Sequence, residues 1–317
     1  MTKFRNYDPI GVIPACLLPF HDDLSLDLKS FKKHLNDTAD VTGLSAITIN
    51  AHSTEVGSCT LAEQQEVMAA AGEAIGDRLP IIHGIYAEGS LEAARIAKQA
   101  EAGGASALLV FPPGPFTLGQ RSEMAIAHFK HIADAVDLPL IAFQYPLAGG
   151  QGYTRDTLNA LLDAVPSIRA IKDWCNVVPQ HERHIVDLQS RSRPVRVLTT
   201  HSSWLFSSLV LGCDGLLSGS GSVIADLQLA LFQAVQGNDL AQARKINARI
   251  RPLAQVFYAD PFVDMHNRMK EALVLLGRIP NAAVRPPLMK LDAAEISRIR
   301  AALVESGLLR KDTMRAA

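Results

Sequence analysis

From Ile10 onward the chain alternates short apolar runs with longer segments of helical periodicity, the pattern of parallel strands joined by crossover helices. The strand-like runs are Gly11–Leu18, Leu44–Ile49, Pro80–His83, Ala105–Val110, Pro139–Phe143, Ile168–Lys172, Val195–Thr199 and Gly215–Leu217. Helices are predicted between them at Asp27–Asp40, Leu61–Ile75, Ser90–Glu101, Arg121–Ala135, Thr154–Ala164, Val178–Gln189 and Ser202–Leu211. A doubly wound open sheet more often has about five to seven strands and a glycine-rich phosphate turn near its start. Eight strand-helix units in about 230 residues match a closed barrel instead. The predicted fold is therefore α/β: a (β/α)8 TIM barrel over residues 1–236 with a small C-terminal helical extension over 237–317. After the eighth run, Asp226–Gln236, Asp239–Tyr258, Phe262–Leu276 and Ala293–Ser306 carry helical patterning and little strand signal, and no linker marks a separate second domain.

Of 317 residues, 48% are hydrophobic, enough for a substantial core. The 31 basic and 32 acidic residues leave a formal charge of -1, which supplies no general attraction for nucleic acid or an anionic membrane. A small-molecule partner is expected. Cys16, Cys59, Cys175 and Cys213 are widely spaced and form no CxxC pair, so neither a zinc knuckle nor a disulfide scaffold is suggested. The stretch from Met1 to Asp8 lacks the apolar centre of a signal peptide, and no run approaches the roughly 18 apolar residues of a membrane span. A cytoplasmic protein with reduced thiols is expected.

In such a barrel, chemistry collects where the strands end. The positions there are polar: His52, Ser53, Thr54 and Glu55 after the second run, Tyr86 and Glu88 after the third, and Gln144 and Tyr145 after the fifth. Lys172 and Asp173 follow the sixth, Thr199, Thr200 and His201 the seventh, and Ser218 to Ser222 the eighth. Lys172 closes an apolar run that reads as a buried strand. Burial lowers a lysine pKa, and the resulting neutral amine can attack a ketone to form an imine. The competing reading leaves the ammonium in solvent just past the strand, or paired with Asp173.

With these residues placed, the chain resembles the dihydrodipicolinate synthase and N-acetylneuraminate lyase superfamily, class I aldolases and dehydratases acting on 2-keto acids through a lysine Schiff base. The likeness runs from about residue 9 to 290. Its parts are Gly11-Val-Ile-Pro-Ala-Cys-Leu-Leu-Pro-Phe20, Asn50-Ala-His-Ser-Thr-Glu55, Phe143-Gln-Tyr-Pro146, Ala170-Ile-Lys-Asp173, Gly212-Cys-Asp-Gly-Leu-Leu-Ser-Gly219 and Arg285-Pro-Pro-Leu288. The resemblance implies Lys172 as the imine lysine. It implies Ser53, with the N–H groups of Ser53 and Thr54, as the holder of the substrate carboxylate. The competing reading of Ser53 and Thr54 is a turn satisfying its own backbone. Glu55 is expected to hold the loop by accepting hydrogen bonds. Phe143, Thr199, His201 and Gly219 complete the expected substrate contacts.

The chain also departs from the family pattern. His52 replaces a hydroxyl residue, and Phe143 stands where the family has a proton-moving tyrosine. The loop Phe111-Pro-Pro-Gly-Pro-Phe116 lacks the tyrosine that synthases lend across a subunit interface. His52, with an ordinary pKa near 6.5, or Tyr145, two positions beyond Phe143, is expected to move protons in their place. Each has an alternative: His52 bonded to backbone, Tyr145 packed on Pro146. The resemblance implies an arginine shortly after Pro146 to receive the carboxylate of the aldehyde substrate of the lysine-biosynthetic enzyme; none follows until Arg155, so that reaction is not expected. The expected function is a lyase, aldolase or dehydratase, for a 2-keto acid. The alternatives are 4-hydroxy-tetrahydrodipicolinate synthase proper and a keto-acid-binding barrel without catalysis. No cofactor and no metal are expected, because His52, His83 and His201 show no ligand spacing. The resemblance also implies a homotetramer.

Overall fold

The computed structural model describes Phe4 and residues 6–310. Residues 1–3, 5 and 311–317, which the expected barrel and extension include, lie outside the described residues. All eight expected strands form: β1 (Gly11–Pro14), β2 (Ile47–Ile49), β3 (Ile81–Ile85), β4 (Ala107–Val110), β5 (Leu140–Gln144), β6 (Ile168–Asp173), β7 (Arg196–Thr199) and β8 (Gly215–Ser218). They pair in parallel in the order β1-β8-β7-β6-β5-β4-β3-β2. A single bridge from Ala15 to Thr48, supported by the Cys16 N–H donating to the Thr48 carbonyl, brings β1 to β2 and makes the sheet a nearly closed TIM barrel. Gly215 is demanded by the pairing of β8 with β1, since a Cβ there would lie 2.2 Å from the Gly11 carbonyl oxygen.

Between the strands run helices α1 (Leu28–Ala39), α2 (Leu61–Ile75), α3 (Ser90–Ala102), α4 (Ser122–Ala133), α5 (Arg155–Ala164), α6 (Val178–Gln189), α7 (Leu205–Val210) and α8 (Gly221–Gln236). Side chains set several of their starts. Asp27 caps α1 by accepting from the Ser30 N–H, Thr154 caps α5 through the Thr157 N–H, and Thr60 and Glu63 form a reciprocal capping box on α2.

Two apolar layers result from the period-two alternation of the strands. Leu140, Ala142, Ile168 and Ile171 pack outward under the helices, within a large cluster that includes Phe31, Val67, Phe129 and Leu161. Ile13, Ile82, Leu109, Ile141, Phe143, Ala170, Leu198 and Leu217 fill the interior of the barrel. Lys172, two residues past the inward Ala170, therefore continues the interior row, and Asp173 faces out.

Two expected boundaries are corrected. The opening strand ends at Pro14 rather than Leu18, because beyond the Ala15 bridge the Leu17 N–H donates to Ser222 Oγ instead of a neighbouring strand. The last barrel helix begins at Gly221 rather than Asp226, with a kink at Ile224 (φ -129°, ψ 41°), so part of the expected Ser218–Ser222 loop is helical. Beyond it come α9 (Leu240–Phe257), α10 (Met265–Leu275) and α11 (Ala293–Glu305). α9 packs on α8, α11 on α9 and α10, and α10 also touches α8. Among the described residues no helix is long and apolar enough to cross a membrane.

Candidate active site

A cleft of about 470 Å³, its open mouth included, lies at the ends of the strands. The barrel contributes Ala15, Ala51, His52, Ser53, Phe143, Lys172, Trp174, Thr200 and Gly219 to its lining, and the extension contributes Tyr258, Phe262, Met265 and His266.

β5 and β6 place Phe143 and Lys172 side by side in register. Lys172 is 6% exposed, with Nζ 4.0 Å from the centre of the Phe143 ring. Burial, with no compensating carboxylate, lowers its pKa to about 7. Near neutrality a large share of the side chain is then a free amine, a nucleophile able to add to a carbonyl carbon. The reading that paired it with Asp173 is overturned: Asp173 points into the layer behind the strand, where His181 and His184 hold it.

After β2 the chain turns through a short 3-10 segment, His52–Thr54. Ser53 Oγ is buried there and has no hydrogen-bond partner. An orphan hydroxyl in a cleft is a donor waiting for an acceptor, since leaving it unpaired costs about 1–3 kcal/mol. Thr54 is different. Both its N–H and its Oγ1 donate to the Ala51 carbonyl, at 3.1 and 2.8 Å, so this residue closes its own turn and is corrected from ligand contact to loop support. Glu55, at φ +53°, ties the turn to the extension: its Oε1 accepts from Lys270 Nζ at 2.5 Å and its Oε2 from the Arg285 N–H at 2.9 Å. Arg285 continues this clamp by donating to Glu63 and to the carbonyls of Leu24 and Ser58.

Tyr145 points to the same side as Phe143, their ring centres 4.5 Å apart, and its hydroxyl lies 3.1 Å from His52 Nε2. Burial raises the Tyr145 pKa well above its ordinary value, so the phenol keeps its proton at neutral pH. Burial, and secondarily the charge of Lys172, lowers the His52 pKa to about 3. The expectation of an imidazole titrating near 6.5 is thereby corrected: His52 is neutral at pH 7.

Thr199 and His201 do not line the cleft. With Leu198 inward, the alternation turns Thr199 outward, where its Oγ1 accepts from Ser208 Oγ and from the His201 N–H. His201 accepts from the Asn176 N–H and stacks on Trp204, ring centres 4.2 Å apart. Thr200, one residue on, faces the cleft. Gly219 does line it, and its missing side chain is what admits His266, whose Nε2 would lie 2.7 Å from a Cβ at that position. Burial, then the nearby His52, Lys172 and Lys270, hold the His266 pKa well below its usual value.

From the sequence, Thr200 was named among the strand-end positions without a role, and Trp174 and the whole contribution of the extension were missed. Thr200 and Trp174 were within reach of the period-two rule counted from Leu198 and Lys172. His266 was not, because its position depends on how α10 docks over the barrel mouth.

A barrel whose strand ends surround a lysine without a counter-charge and an unpartnered hydroxyl is the framework of a lyase, an enzyme of the class I aldolase and dehydratase type. The chain belongs to the dihydrodipicolinate synthetase family, whose model matches residues 8–306. It is 30% identical over 302 residues to the 4-hydroxy-tetrahydrodipicolinate synthase of Dechloromonas aromatica, covering 94% of this chain and 99% of the relative. It is 27% identical over 297 residues to Escherichia coli YagE, provisionally named as a 2-dehydro-3-deoxy-D-gluconate aldolase, covering 92% of this chain and 95% of that protein. The YagE structure in complex with pyruvate superposes with a TM-score of 0.87 at 25% identity, covering 95% of this chain and 99% of that one.

Proposed function

We propose that the enzyme is a Schiff-base lyase acting on a 2-keto acid. The observation that carries this reading is Lys172: buried in the cleft against Phe143, without a counter-charge, and beside the same cavity wall that presents the unpartnered Ser53 hydroxyl. Ser53 donates to the substrate carboxylate. The neutral Lys172 amine adds to C2, the carbonyl oxygen departs as water, and the protonated imine becomes an electron sink. Loss of a proton, or of a carbon substituent, from C3 then leaves an enamine. His52 accepts the proton released at this stage on Nδ1, in the tautomer whose Nε2–H donates to the Tyr145 hydroxyl and so holds the ring. Reprotonation at C3 and hydrolysis return the free lysine. Borohydride reduction in the presence of pyruvate and longer keto acids, with peptide mass mapping, tests the imine step.

A reading as 4-hydroxy-tetrahydrodipicolinate synthase draws on the name of the Dechloromonas relative, but among the described residues no arginine lines the cleft to receive a second carboxylate. Absence of turnover with pyruvate and aspartate semialdehyde would remove it. A binding barrel without turnover is favoured by Phe143, whose ring moves no protons. Exchange of the C3 protons of pyruvate with solvent would remove that one.

A further inference from the structure

Beyond the lysine, the cleft is built of rings. Trp174 lies nearly parallel to Phe262 from the extension, centres 5.5 Å apart at 12°, and meets the Tyr145 ring edge-on at 5.4 Å. Tyr258 lies 5.9 Å from Phe262, and Met265 completes this side. Trp174, Tyr258, Phe262 and Met265 are all half-buried and line the cavity, Trp174 with its other side on the barrel interior and Tyr258 and Met265 on the outer core. Lys172 is the only charged side chain lining the cleft among the described residues, with His52 and His266 held neutral.

We propose that the keto acid taken by this site carries an aromatic ring on the carbon beyond C3. The inference rests on the keto-acid reading above and adds the identity of the substrate's second half. A ring entering between the Lys172 end and the Trp174–Phe262 wall covers exposed apolar surface and finds offset or edge-on ring partners. A polyhydroxylated chain would bring several hydroxyls against this wall, where Phe262 and Met265 offer no donor, Trp174 one N–H and Tyr258 one hydroxyl, and unpaired polar groups weaken binding. A carboxylate would meet no cation but the lysine already engaged at C2.

The test compares kcat/KM for racemic 4-hydroxy-2-oxo-4-phenylbutanoate with that for a 2-keto-3-deoxyhexonate, following disappearance of the keto acid, in the intact enzyme and in Trp174→Ala and Phe262→Leu. Borohydride trapping of pyruvate on Lys172 is run on each protein. The proposal expects the phenyl compound to be preferred by about tenfold or more. It also expects at least one variant that still traps pyruvate to lose most of that preference. Equal or better use of the hexonate by an enzyme that does trap pyruvate overturns the aromatic assignment alone, as does a preference that survives both variants. No trapping of pyruvate in the intact enzyme overturns the keto-acid reading and this inference with it.

Discussion

Lys172 and Asp173 are consecutive residues of β6, and the strand's alternation sends one into the cleft and the other into the layer behind it. Behind the strand the polar side chains around Asp173 bond to one another. Asp173 Oδ2 accepts from His181 Nδ1 at 2.8 Å and from His184 Nδ1 at 2.7 Å, while Oδ1 accepts from the Cys175 N–H at 2.9 Å. His181 Nε2 meets Ser208 Oγ at 2.8 Å, and Ser208 donates onward to Thr199. Burial alone would raise the Asp173 pKa, but the two imidazole hydrogen bonds outweigh it and hold the carboxyl well below the ordinary range. Donor atoms of Asp173, Cys175 and His201 lie within 4.8 Å of one another, as a metal site would need. Each is nevertheless committed: the carboxylate to imidazoles, His201 Nε2 to the Asn176 N–H, and the Cys175 thiol kept protonated by burial. In front of the strand the opposite holds. Lys172 has no counter-charge and Ser53 Oγ has no partner. Equal burial thus produces two different regions: polar groups that saturate one another hold a fold together, and those left unsaturated are available to a ligand.

Substitutions can break this contrast. Lys172→Ala is expected to lower turnover of any keto-acid substrate by about a thousandfold or more while the protein stays folded, measured by steady-state rates beside a urea melt. A comparable loss of chemistry from Asp173→Ala with unchanged stability would contradict the division. Instead, Asp173→Ala should cost about 3–5 kcal/mol in urea unfolding, because it strands two buried imidazoles. The wild-type share of that stability is present above the ordinary aspartate range and is lost as pH falls through and below it, since the folded pKa is depressed. His52→Gln should slow turnover about a hundredfold while pyruvate is still trapped on Lys172, which separates proton transfer from imine formation.

The smallest effect is also the most specific. Lys172 binds its proton less tightly in the folded state (about 7, against an ordinary 10.5), so between those values the unfolded chain holds more protons and stability rises with pH. Urea midpoints taken from pH 7 to 10 in wild type and Lys172→Met should show that slope in the first and a flatter one in the second. Imine formation should likewise accelerate as pH rises through about 7.

The eight strand-helix units and the inward lysine were legible because both rest on local rules, alternation along a strand and periodicity along a helix. Thr199 and Thr200 show the limit of that reading: a site residue named by proximity to a strand end is wrong when the face is miscounted by one. The Phe143-x-Tyr145 spacing was read correctly because the extended geometry continues past β5. His52 lines the cleft, but its titration was misread, since the depression of its pKa comes from burial among rings and from a lysine on other strands. The roof of Tyr258, Phe262, Met265 and His266 left no local signal at all. It is set by long-range clamps such as Lys270 to Glu55, 215 residues apart in sequence.

The central claim is that the unsaturated side of β6 makes a covalent imine. The most direct measurement is borohydride reduction with pyruvate followed by peptide mass mapping of the intact enzyme, with Lys172→Ala as control. A pyruvate-dependent adduct on the peptide containing Lys172, absent from the control, is the expected result. Folded enzyme that carries no adduct, or carries it on another lysine, would contradict the account.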